Sequence, residues 1–328
     1  MLARLPGVAR TSAAVRNIDA NMLDRDQVEL VLQNAPSPEE AELMQAKAKE
    51  HVVDEHTVWD VAEEFILSML AIPRYTLRLN VWNFENDFEE RLTPIADAVE
   101  LLSRGCETVL TSCGVQHLLG LILYVGNFLN GGTPRGRADG FAIDFLAQMR
   151  SVKMSKGIWP GATLVDYLVQ QMERKFPGEI EEMLNPGAEA DRMHAAARHS
   201  AKDLMEELSA LKAEATKLSR CVHADSVTED EVLARHGEIL AMCLAEIHEV
   251  QLRLQLLDER YSKLCAWFHM EAEKKKTTDA FFGILNKFMA DMRQAWETSS
   301  EQMAKAQRAS AASQRRSRSS SSFRRVHK

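Results

Sequence analysis

Apolar residues recur at steps of three and four along most of the chain, and no segment shows sustained apolar–polar alternation; the pattern predicts helices and no sheet. Helix starts are marked by capping side chains placed three residues before a Glu or Gln, as in Asp24 with Gln27 and Ser37 with Glu40. Pro38 suits a first helical position, where its missing N–H would be unpaired anyway. Thr93-Pro94 repeats that arrangement, without the returning Glu, and predicts a helix start ahead of Ile95, Val99, Leu102, Cys106, Val109 and Leu110. The next stretch, Val115 to Leu129, is apolar almost all round and should form a central core helix.

Beyond Gly187 the periodicity tightens. Ala197, Ala201, Leu204, Leu208, Leu211, Ala215, Leu218 and Val222 form one series. Leu233, His236, Leu240, Cys243, Ile247, Val250, Leu254, Leu257, Tyr261, Leu264 and Phe268 form a second, with Thr228 and Glu231 placed to cap its start. Phe281, Leu285, Phe288, Met292 and Trp296 mark a third face. At 1.5 Å per residue the second series makes a rod of roughly 54 Å. These seams seek partners, and the nearest partners are each other, so an antiparallel, coiled-coil-like bundle is expected in preference to an intermolecular coiled coil. The fold class is all-α and elongated. A leader spans residues 1–20, a globular helical region 21–187, the long-helix bundle 188–298, and a disordered Ser/Arg-rich tail 299–328.

Composition supports that reading. Hydrophobic residues make up 45% and aromatics only 6%, while strong helix formers dominate over a thin scatter of Gly and Pro. Net charge is −8, yet every Lys or Arg after Glu301 stands without an acid, so the body is acidic and the tail basic. Such a tail can attract acidic protein surfaces, phospholipid or RNA, and phosphorylation of its serines would cancel the attraction. The five cysteines form no close pair and read as reduced, buried thiols of a cytoplasmic protein. The longest apolar run, Leu118 to Gly126, is far short of the ~20 residues that span a bilayer. Arg4, Arg10 and Arg16 precede the first acid, Asp19, a transit-peptide-like bias; a helix leading into the first domain fits the same residues better.

Little in the chain asks for catalysis. Gly131-x-x-x-x-Gly136-Arg137-Ala138 resembles a phosphate-binding loop, but Arg and Ala stand where Lys and Ser or Thr are needed, and a helix precedes it in place of a strand. Cys113 with His117, and His194 with His199, lack a third metal ligand nearby in sequence. No cofactor, metal or enzymatic activity is expected.

The stretch from Leu118 to Val169 carries a long composite motif: Gly126-Asn127-x-x-Asn130-Gly131-Gly132, then Gly136-x-Ala138-x-Gly140-Phe141, then Lys153, and a closing Leu164-x-x-Tyr167-Leu168. In that order it resembles the signature of the formin homology-2 domain, with weaker agreement over residues 21–298. The resemblance implies an actin-binding, cytoskeletal, all-helical arch that nucleates filaments and holds the barbed end as a head-to-tail dimer. The partner's lasso would dock near the Gly–Asn segment. By the same resemblance Asn127 and Asn130 would supply amide hydrogen bonds, and Gly126, Gly131 and Gly132 would permit close approach. Arg135, Arg137, Gly140, Phe141, Arg150 and Lys153 would complete the contact set, with Lys153 and Arg150 facing acidic actin. The tryptophan-anchored lasso and the isoleucine-bearing start of the knob would precede Met1, so dimerisation is left open and actin binding is the expectation. The family's G-F-K-L reads Gly140-Phe141-Ala142-Ile143 here, with one cation lost, and Gly157-Ile158-Trp159-Pro160-Gly161 looks like an insertion. The alternative is a coiled-coil scaffold that keeps the fold without actin assembly.

Overall fold

The computed structural model describes residues 2–51, 59–154, 161–224, 230–268, 270 and 276–323. Among them lie the helices α1 Val8–Asn17, α2 Arg25–Gln33, α3 Pro38–His51, α4 Val61–Leu70, α5 Tyr75–Thr111 and α6 Cys113–Leu129. They are followed by α7 Leu164–Lys175, α8 Glu179–Leu184, α9 Glu189–Ala196, α10 Ala201–Val222, α11 Glu231–Trp267 and α12 Thr278–Phe323. No strand occurs among the described residues; the only extended pairing is an isolated antiparallel bridge between Lys153 and Thr163. The fold is all-α, as the periodicity predicts. No single described helix is long and apolar enough to cross a membrane.

The chain divides into two compact units. The first comprises residues 1–96 and 205–252. Here α1 and α3 pack on α4, and Ala14 and Val15 are fully buried, so the stretch before residue 21 is part of the folded unit. Asp24 and Gln27 form the reciprocal capping box expected of them. At the head of α3 the Ser37 N–H donates to Glu40 Oε2 at 2.8 Å, and the Glu40 N–H donates back to Ser37 Oγ at 3.3 Å. The expected Thr228 cap lies outside the described residues; at the start of α11 the Asp230 carboxylate instead accepts from the Leu233 N–H at 3.2 Å. Arg78, only 4% exposed, donates to that same carboxylate, to the Arg16 carbonyl at 2.5 Å and to the Pro73 carbonyl at 3.1 Å. A buried guanidinium needs such partners for its many N–H donors. One side chain therefore ties three remote segments of this unit.

Thr93-Pro94 does not begin a helix. Pro94 lies inside α5, which runs unbroken from Tyr75 to Thr111. An interior proline costs a backbone hydrogen bond and crowds the carbonyl four residues earlier. Pro94 and Glu90, the residue with that carbonyl, are both exposed, so water is at hand for the freed acceptor. The seam in this unit behaves as its spacing requires, since Leu208, Leu211, Ala215 and Leu218 are buried, as are Leu233, Leu240, Ile247 and Val250. His236 keeps its seam position because Glu85 of α5 reaches its Nδ1 at 2.8 Å.

The second unit comprises residues 97–204 and 253–328. Helix α12 packs against α7, α9 and a 3-10 helix at Ile143–Ser151, and α6 packs against α7 and α8. Phe281, Leu285, Phe288 and Met292 of α12 are fully buried, whereas Trp296 is half-buried and Ala295 and Ser299 are covered instead. Phe268 and Tyr261 meet Phe281 edge-on, with ring centroids 5.4 and 5.6 Å away. Arg293 ties α12 to the α8–α9 corner, donating to Leu184 O at 2.9 Å and to Asp191 at 2.8 Å, and it holds that carboxyl below the usual carboxylate range. Helix α12 extends to Phe323, past Ser299 where the sequence places the start of an unstructured tail. Among the described residues Ser299 is the last buried residue of the packed part of the helix, and residues 300–305 are exposed. The side chains of residues 311–328, which include the Arg-Ser repeats, lie outside the described residues, as does most of the 157–161 insertion.

The cysteines are only partly as expected. Cys106, Cys243 and Cys265 are buried free thiols, but Cys113 and Cys221 are exposed. Both lie where the helix turns away from the packed face: Cys113 opens α6, and Cys221 sits one residue from the buried Val222.

Candidate protein-docking corner

Helix α6 begins as the central helix its composition predicts, with Val115, Leu118, Leu119 and Ile122 almost wholly buried. In its last two turns only Val125 stays buried. Tyr124, Phe128 and Leu129 are 67%, 76% and 59% exposed. An apolar helix end standing in solvent beside a loop is a surface without its partner.

The loop that follows is wired to itself. The Asn130 N–H and side-chain amide both donate to the Gly126 carbonyl, at 3.0 and 2.9 Å, closing the helix. The Asn130 carbonyl in turn accepts from the Thr133 N–H at 3.0 Å and from its hydroxyl at 2.8 Å. Gly132 takes φ of +82°, a left-handed conformation that favours glycine. A Cβ at Gly136 would stand 2.7 Å from the Asn130 carbonyl oxygen, so only glycine lets the loop fold back there.

Asn127 closes the corner. Its Nδ2 donates to the Ala138 carbonyl at 2.8 Å, and its Oδ1 accepts from the Ala138 N–H at 2.7 Å. This grip adjoins Arg137, whose φ of +63° costs a non-glycine residue about 1–2 kcal/mol. The two expected amide donors therefore organise this chain's own loop. Gly126, by contrast, has nothing within 4 Å of a would-be Cβ and leaves its surface open.

The cations divide into two kinds. Arg135, Arg137 and Lys153 are exposed and make no ion pair among the described residues. Arg150 pairs with Asp291 and donates to Gln294 Oε1 at 2.6 Å, so its guanidinium is bound to α12. Gly140 and Phe141 belong to the packing: the Phe141 ring meets Phe145 and Phe268 with centroids 6.2 and 6.4 Å apart.

Lys153 borders a cleft of about 480 Å³ that the sequence did not single out, lined chiefly by Tyr124, Phe128, Leu129, Val152 and Tyr167. Lys175 lies 5.7 Å over the Tyr124 ring and adds a second cation. The available signal was the all-round apolar character of α6 continuing into its final turn, next to a loop. Among the described residues no three His, Cys, Asp or Glu converge on a metal position. His117 instead stacks on Phe176 at 4.1 Å and meets Glu179 at 2.8 Å. The arrangement sets exposed cations on a hydrogen-bonded loop, with Lys153 at the edge of an exposed aromatic cleft.

A protein-family model described as Formin Homology 2 Domain matches residues 1–293, starting ahead of the span over which the motif resemblance runs. Formin-2 of Mus musculus is 26% identical over 298 residues, covering 87% of this chain and 19% of that protein. Formin-2 of Homo sapiens is 28% identical over 299 residues, covering 87% of this chain and 17% of the relative. Formin of Gallus gallus is 25% identical over 303 residues, 89% of this chain and 25% of the relative. The chain spans a quarter or less of the length of these curated relatives.

Proposed function

Because this chain belongs to the formin homology 2 family, we propose that it binds actin through the corner between Gly126 and Lys153, and that two copies together promote nucleation and barbed-end association. The observation that carries the reading is a set of cations exposed and without an ion pair among the described residues: Arg135 and Arg137 on the loop, and Lys153 on the lip of an exposed aromatic cleft. Unpaired cations on a preorganised loop suit an acidic partner such as actin, because little ordering is left for binding to do. The cleft at Tyr124 and Phe128 is the place for an apolar segment of the second copy. The role proposed is one of binding.

The alternative is a helical scaffold that keeps the fold without actin assembly, and it would have to use a surface other than the heptad seam. Residues Leu233, Leu240, Ile247, Leu257 and Leu264 are all fully buried in this one, so that surface is occupied. Cosedimentation with actin filaments, together with pyrene-actin assembly from barbed-end seeds, tests the proposal. Binding that Lys153→Ala and the Arg135→Ala/Arg137→Ala pair weaken about tenfold or more, with steep salt sensitivity, is the expected result. A protein that stays in the supernatant and leaves assembly unchanged at micromolar concentration refutes it.

A further inference from the structure

We propose that Arg150 is a positioning residue: its fork onto Asp291 and Gln294 of α12 fixes the segment that presents Lys153, and Arg150 itself does not meet the partner. The inference rests on the reading of Lys153 as a partner contact.

The geometry is a clamp with two jaws. On one side, Arg150 closes the 3-10 helix Ile143–Ser151, whose Ile143, Leu146 and Met149 are about 1% exposed. One guanidinium nitrogen pairs with the Asp291 carboxylate and another donates to Gln294 at 2.6 Å, so the planar fork is used twice. The Asp291 side chain is only 13% exposed, against 50% for Arg150, so the carboxylate end of the tie is the sheltered one. On the other side, the Met154 N–H donates to the Ala162 carbonyl and the Leu164 N–H donates to the Val152 carbonyl, both at 2.9 Å. Lys153 lies between these two ties, exposed and without an ion pair among the described residues, on the lip of the aromatic cleft.

A 3-10 helix has poorer hydrogen-bond geometry than an α-helix and frays readily at its end. Lysine is a flexible point charge, so where its head can reach depends on where its backbone is held. Without the Arg150 fork, the 3-10 end is free to fray, and the jaw formed by residues 152–154 moves with it. Sequence reading would instead make Arg150 a direct cationic contact, and the two roles predict opposite outcomes for one substitution. Asp291→Asn weakens the tie without touching the charge of Arg150. If Arg150 positions, binding weakens; if it contacts the partner, releasing it leaves binding unchanged or tighter.

The experiment uses the full chain with actin filaments in cosedimentation, alongside hydrogen–deuterium exchange of peptides holding the Met154 and Leu164 amides. Asp291→Asn is expected to weaken binding about fivefold, and the double variant Lys153→Ala/Asp291→Asn to bind no worse than Lys153→Ala alone, since the tie acts through the lysine. Exchange at Met154 and Leu164 should quicken in Asp291→Asn, and Gln294→Ala should move both readouts the same way by less. Unchanged or tighter binding by Asp291→Asn overturns the proposal, as does unchanged exchange. Failure of the wild-type chain to bind filaments defeats the actin reading, while faster exchange in Asp291→Asn still marks the clamp as real and its absence removes it.

Discussion

Between Leu233 and Phe268 every seam residue is buried, whereas from Phe128 to Arg137 only Asn130 and Gly136 are less than exposed. The seam draws its order from apolar area removed from water, spread over many side chains, with His236 accommodated by one carboxylate. The corner has almost no burial and draws its order from amide and carbonyl pairings, two left-handed residues and one glycine pressed against a carbonyl. Order carried by packing is shared among many contributors and belongs to the whole fold. Order carried by a few hydrogen bonds is local, and can be removed at one residue while the rest of the molecule stands.

That contrast sets the scale of what substitution should do. The largest effect is expected on the seam, where Leu240→Ala should lower the unfolding free energy by about 3 kcal/mol through lost burial and a residual cavity, measured by urea denaturation. Alkaline pH should act on the buried side next. Burial pushes the Cys106 thiol up to about 12 from its ordinary 9.0, and burial together with Glu85 pushes Cys243 to about 11. The folded state therefore keeps both protonated while unfolded thiols ionise. Stability should be full below about pH 9 and fall as pH rises from there towards 11–12, so the urea midpoint should drop between about pH 9 and 11. An Ellman titration of the native protein should find Cys113 and Cys221 fast and the buried three slow.

At the corner the effects should shrink and become local. Asn127→Ala removes both bonds to Ala138 and should cost about 1 kcal/mol or less of global stability, while exchange at the Ala138 amide accelerates and filament binding weakens. Arg135→Ala/Arg137→Ala should change stability by less than about 0.5 kcal/mol, so any loss of filament binding in that variant reports the contact alone. A large fall in melting temperature for the arginine pair would show that the corner is part of the packed body after all.

The same division explains what could be read in advance. Repeating apolar spacing located the faces of α10, α11 and α12, because burial repeats with the helix and leaves a period in the sequence. Pro94 misled because an interior proline and a helix-starting proline look alike until exposure is known. Arg78 gave no sign of its burial, since two of its partners, Arg16 and Asp230, lie far off along the chain. At the corner, the motif located the loop but could not say whether Asn127 faces a partner or its own chain. Arg150 and Lys153 look equivalent on paper, and only the neighbouring helix α12 separates an engaged cation from an unpaired one.

The grip of Asn127 on Ala138 is made entirely to main-chain atoms, and the turns before it are closed by the backbone and by Thr133. No arginine head group takes part. The mount is thus independent of what is mounted: Glu in place of Arg135 would invert the polarity on show and leave the turn standing. Surface charge at this turn can therefore change by single substitutions without the chain passing through an unfolded form.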